Sequence, residues 1–168
     1  MAHKQETNAH LKTVVETPIA YADLCARFEA AIGRLDMAKA EQLVASSAPW
    51  PVVEAAMGDM AGESGLMLFT VFDQGSVASL GGGPVRCRLY IVGNPAVASR
   101  IVRIDARGAL YVPFRVAVYV ASGADGAAIA FDRPSSLLAG LGRRELDDIA
   151  EMLDREIDSA VLSATSGG

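Results

Sequence analysis

Residues 86–95, RCRLYIVGNP, carry two periodicities back to back. Along residues 86–92 the side chains alternate, with Cys87, Leu89 and Ile91 on one face and Arg86, Arg88 and Tyr90 on the other. Successive side chains of a strand point to opposite faces, so this alternation predicts a half-solvated strand. Such a strand belongs to an antiparallel sheet, because parallel strands are covered on both faces and read as unbroken apolar runs. At Gly93-Asn94-Pro95 the strand stops. Asn94 is a favoured helix cap and Pro95 a favoured first helical residue. Val97, Ile101 and Val102 then recur at helical spacing, so the turn joins a strand to a helix.

Upstream, residues 65–72 (GLMLFTVF) are dense in large apolar residues and too short for an independent helix, which predicts a buried strand ending at Asp73-Gln74-Gly75. Residues 76–80 allow one helical turn before the GGGP loop at 81–84. Near the start, residues 11–16 (LKTVVE) hold β-branched Thr13, Val14 and Val15 and read as a short strand. Thr17-Pro18 opens a helix whose inner face is Tyr21, Leu24, Cys25, Phe28, Ala31 and Ile32, and Gly33 can end it. Helical pieces at 37–44 and 52–60, interrupted by Ser46-Ser47 and Pro49-Trp50-Pro51, make residues 34–62 a helical elaboration on a smaller domain. Downstream, a strand at 110–120, hairpin punctuation at 122–126 and a strand at 127–131 precede Asp132-Arg133-Pro134, which stops the run. The last helix, residues 143–163, sets Leu146, Ile149, Leu153, Ile157 and Val161 on one face and Glu145, Asp148, Glu151, Asp154, Arg155 and Asp158 on the other, in water.

Five strands joined largely by short turns predict an α+β domain, with an antiparallel sheet of four to five strands and helices mainly on one face. One domain over residues 11–164 is expected, with residues 1–10 a disordered tail and 165–168 a short one. The 168 residues fit one core, and a mean hydropathy of +0.28 argues against disorder and hints at an oligomer interface. Twenty acids against 15 bases give a net charge of −5, which opposes a nucleic-acid surface. Cys25 and Cys87 form no C-x-x-C motif, so two unpaired thiols in a reducing, cytoplasmic setting are expected. Residues 1–18 hold no apolar h-region and do not read as a signal peptide, and no run suffices for a membrane span. The longest, ALYVPFRVAVYVA, is broken by Pro113 and Arg115.

Several residues invite chemistry. Gly93 and Asn94 at a helix start could let an anion approach backbone N–H groups, or serve only as the turn. Neither G-x-G-x-x-G nor G-K-[ST] accompanies them. Asp73, beside Gln74, ends the most apolar strand, where desolvation could raise its pKa for proton transfer; it also suits an ordinary turn. Asp132 ends another strand and could converge with it. Arg115 interrupts YVPFRVAVYV between Tyr111 and Tyr119, either on a solvated face or interface, or as an anchor for an anionic ligand. His3 and His10 fall in the expected tail, leaving no histidine in the folded body for a general base or a metal, and neither metal nor cofactor is expected.

The ordered set FTVFDQG, RLYIVGNPAVASRIV, LYVPFRVAVYV, a glycine hairpin and IAFDRPSSLL resembles the bacterial domain-of-unknown-function family numbered 302. That family's pattern runs strand-Asp-His, a G-N-P turn, P-L-[RK]-V and [YF]-x-x-P, and the resemblance covers residues 65–160. Asp73, Gly93, Asn94, Pro95, Pro113, Arg115 and Pro134 hold the matching positions. The resemblance implies a sheet likened to that of TATA-binding protein, with dimers known among members, and no settled activity. Gln74 stands where the family often has histidine, and an amide cannot titrate; residues 34–62 are a second departure. The leading expectation is a soluble homodimeric module, not an enzyme, that binds a small anionic or apolar ligand or a protein partner around Asp73, Gln74, Gly93, Asn94, Arg115 and Asp132. Its rivals are a hydrolase or isomerase using Asp73 or Asp132 as acid–base group, and a purely structural oligomerisation domain.

Overall fold

The computed structural model describes residues 9–166. In chain order the elements are β1 (Lys12–Thr17), α1 (Tyr21–Ala31), β2 (Gly33–Arg34), α2 (Met37–Ala45), α3 (Trp50–Met60), β3 (Met67–Phe72), α4 (Gln74–Ser79), β4 (Cys87–Gly93), α5 (Pro95–Ile104), β5 (Phe114–Tyr119), β6 (Ala127–Asp132), α6 (Pro134–Ala139) and α7 (Asp147–Thr165). Short 3-10 turns occupy Ala106–Leu110 and Arg144–Leu146. The strands form one sheet in the order β1-β6-β5-β4-β3-β2. Four of the five pairings are antiparallel, and β2 runs parallel to β3.

The antiparallel sheet of four to five strands expected from the sequence is therefore corrected to a six-stranded mixed sheet. The reason is local. Two residues of β2 are too few to show a period, and Gly33, read as a helix stop, also enters the sheet by donating its N–H to the Leu66 carbonyl at 2.8 Å, while the Leu35 N–H reaches the Leu68 carbonyl at 3.0 Å. No larger residue fits there, since a Cβ on Gly33 would collide with the carbonyl oxygen of Met60 and the backbone nitrogen of Gly62.

One face of the sheet carries the core. Leu24 and Phe28 of α1 and Leu153 and Ile157 of α7 close over Val92, Phe114, Val116, Val118 and Ile129, all buried. Each such side chain contributes about 1.5–3 kcal/mol relative to exposure. The inner face of α7 is the one its periodicity predicts.

The facing of β4 is the reverse of the expected one. Tyr90 is fully buried, whereas Leu89 and Ile91 lie half-buried on the opposite side. Tyrosine has an apolar ring and a polar tip, and both are satisfied inside: the ring meets Phe28 edge-on with centroids 5.3 Å apart, and the hydroxyl donates to Glu29 Oε1 at 3.0 Å. The Arg88 guanidinium lies 3.5 Å from the same oxygen.

A smaller cluster, Leu35, Met57 and Met67 with Val53, Met60, Phe69 and Ala96 packed around it, holds α3 beside the β3 margin. At the other margin α6 is tied to α7. Asp154 accepts the Ser135 N–H at 3.0 Å and the Ser135 hydroxyl at 2.7 Å, and Arg133 spans Asp154 and Asp158 at 3.0 and 2.6 Å. Asp154, placed in water by the helical pattern, thus works as a clamp.

Candidate functional site

The face turned away from α1 and α7 is where the predicted residues gather. Strand register lines up Val14, Ala130, Ala117, Leu89 and Phe72 across five strands. The alanines make a low floor. One step along, Lys12 of β1 pairs with Asp132 of β6, and Arg115 of β5 pairs with Ile91 of β4. Arg115 alternates with buried Phe114 and Val116, so the core forces its side chain onto the open face.

A depression of about 340 Å³ lies here, with Lys12, Gln74, Arg115 and Asp132 around a floor of Ala117 and Ala130. Among the described residues, Lys12, Arg115 and Asp132 form no ion pair within 4 Å. Two cations and one anion therefore share the rim with their charges unmatched. A second depression of about 230 Å³ shares Arg115 and Asp132 and adds His10, Tyr111 and Leu137. A third, about 800 Å³, shares Gln74 and Leu89 and is lined by Val71, Phe72, Asp73, Val77 and Ala78. The first depression thus borders each of the other two through shared lining residues. A separate hollow of about 350 Å³ beside Thr17, Pro18 and Gly126 has Glu16 as its only ionisable lining residue.

Of the six residues singled out, Gln74, Arg115 and Asp132 meet in one depression, and Asp73 lines the adjoining trough. Gly93 and Asn94 line none of the three. Gly93 is buried because a Cβ there would come 3.2 Å from the Pro113 ring and 3.7 Å from Phe69, so the G-N-P turn and the proline before Phe114 rest on each other. Asn94 has both ends of its amide engaged: Oδ1 accepts the Ala96 N–H at 3.0 Å, and Nδ2 donates to the Gly65 carbonyl at 3.0 Å. This is capping chemistry.

Of the two readings of Asp73, the ordinary turn holds and the raised pKa does not. Its Oδ1 accepts the Ser76 N–H at 2.9 Å as the cap of α4, and that backbone hydrogen bond holds the exposed carboxyl below its ordinary value. Desolvation opposes this and loses.

His10, at the end of the expected tail, has its ring edge-on to Tyr111, centroids 6.1 Å apart, and borders the depression that holds Arg115 and Asp132. The available signal was its place two residues before β1, where the strand's first pairing already fixes the backbone. His3 lies outside the described residues. Among the described residues no group of three or more His, Cys, Asp or Glu is placed to hold a metal ion, and no helix is long and apolar enough to cross a membrane. Cys25 and Cys87 are both free thiols.

The family model described as Domain of unknown function DUF302 matches residues 42–164. The match begins inside the 34–62 segment, so α3 and the end of α2 lie within the matched range. No curated protein matches the chain. Among solved structures it is similar to the crystal structure of an uncharacterized conserved protein DUF302 from Bacillus stearothermophilus, with a TM-score of 0.64 and 14% identity over 93% of this chain and 99% of that one. At that identity the likeness speaks for the fold.

Proposed function

The chain belongs to the DUF302 family, and because that membership brings a fold without an activity, we propose from the site itself that it is a binding module for a small organic anion on the open sheet face. Arg115 and Lys12 are its anion contacts, and the Gln74 amide offers a further donor and acceptor. The observation that carries this reading is that side chains from β1, β5 and β6 and the start of α4 converge on one depression with an excess of positive charge and no ion pair among them. A guanidinium held on a strand presents a fixed planar fork, which suits a carboxylate or phosphate.

Thermal-shift screening of wild type against carboxylate and phosphate metabolites tests it. A ligand at a hundred times its dissociation constant stabilises by about 2.7 kcal/mol, and Arg115→Ala should lose that response while Asp73→Asn keeps it. If no anion shifts wild type, or if Arg115→Ala responds equally, this reading fails.

A second copy covering the same face is a rival reading, favoured by the apolar row from Val14 to Phe72. Light scattering would then give a dimer mass that Ala117→Arg halves. Asp73 gives an acid–base enzyme no support, since its carboxylate caps α4; Asp132→Asn is the variant that would remove such an activity.

A further inference from the structure

We propose that the bound anion carries an unbranched hydrocarbon chain, the charged head at Arg115 and Lys12 and the chain lying in the trough beside Phe72 and Val77. This rests on the anion-binding reading above and extends it to a ligand class, a medium-chain acyl carboxylate.

Three observations converge. The trough of about 800 Å³ borders the polar depression at Gln74 and Leu89, which line both, so head and tail spaces are neighbours. Its walls, Val71, Phe72, Val77 and Ala78, are apolar, and Phe72 and Val77 are left 52% and 71% exposed. Large apolar side chains clustered in this way mark a binding surface more often than scattered ones do. Between the two ends, Ala117 and Leu89 provide a low apolar path, with Phe72 two strand spacings, about 10 Å, from Ala117. A hydrophilic dianion would leave the trough wet and exceed the rim's single excess positive charge, and a neutral lipid would leave that charge unmatched. An amphipathic monoanion satisfies both ends.

Isothermal titration of the full chain with butyrate, hexanoate, octanoate and decanoate, each below its micelle-forming concentration, tests the proposal. Affinity should rise about two- to four-fold per methylene, the upper figure being that for complete burial. Phe72→Ser combined with Val77→Ser, both at exposed positions, should flatten this dependence, weakening decanoate more than butyrate. Arg115→Ala should weaken every member by one constant factor. Anions from the metabolite panel that bind while the alkyl series shows no dependence on length would overturn this proposal and leave the anion site standing. Absence of binding by any anion overturns both. A length dependence that survives in the double variant, or a double variant that alters the oligomer mass instead of the affinity, places the apolar contact elsewhere and overturns the acyl assignment.

Discussion

Glu156, on α7, has its Oε2 atom buried with no hydrogen-bond partner among the described residues, and its Oε1 lies against Gly65, where an added Cβ would come within 2.6 Å. Burial raises its pKa from the ordinary 4.5 to about 7, with Arg155 pulling the other way. The folded chain therefore holds a proton that the unfolded chain releases between these values. The stability it supports is fully present below pH 4.5 and is lost as pH rises to about 7. After discounting for the partly solvated carboxyl, the loss is about 1–2 kcal/mol. Urea denaturation at pH 5 and pH 8 should show Glu156→Gln close to wild type at the lower pH and more stable by that amount at the higher. Gly65→Ala should destabilise by about 1–2 kcal/mol at either pH, because φ at Gly65 is +82° and the methyl meets Glu156. None of this is legible in the sequence, where Gly65 and Glu156 stand far apart. The burial of Tyr90 is hidden for a different reason, since polarity scales count its hydroxyl and miss that Glu29 receives it.

At the level of elements, what the sequence showed and what it hid divide by length. The repeating face of α7 and the Asn94 cap declare themselves in the sequence, and the structure has them where they are expected, whereas of the α5 stripe Val97 and Ile101 are buried and Val102 is left exposed. β2, with two residues, and α6, with six, leave no period to read. The consequence reaches α7: without α6 in view, Asp154 looks like a solvated acid, whereas it receives hydrogen bonds from Ser135 and Arg133. Asp154→Ala should destabilise by about 2 kcal/mol, the usual size for hydrogen bonds to a charged group. Asp158→Ala should cost less than about 1 kcal/mol, as expected of an ion pair whose carboxylate side chain is 52% exposed. Chemical denaturation of the two variants side by side would show the difference.

On the scale of the whole molecule, the family match begins at residue 42, yet α1 before it supplies Leu24, Cys25 and Phe28, none more than 1% exposed. A chain cut to residues 42–168 should lose its cooperative unfolding transition and bind a hydrophobic dye, as expected of a compact state without fixed packing; a sharp transition near the wild-type midpoint would contradict this. The candidate site was half legible from the sequence: Arg115, Asp132 and Gln74 could be suspected one by one as interruptions or strand ends. Their convergence could not, because it depends on strand order, which places β1 and β6 side by side from opposite ends of the chain. That order also bears on synthesis. β1 leaves the ribosome well before its partner β6, and α1 well before α7, which packs against it. The sheet and its helical cover therefore cannot close until β6 and α7 have emerged, and β1 and α1 must be sheltered from wrong partners until then.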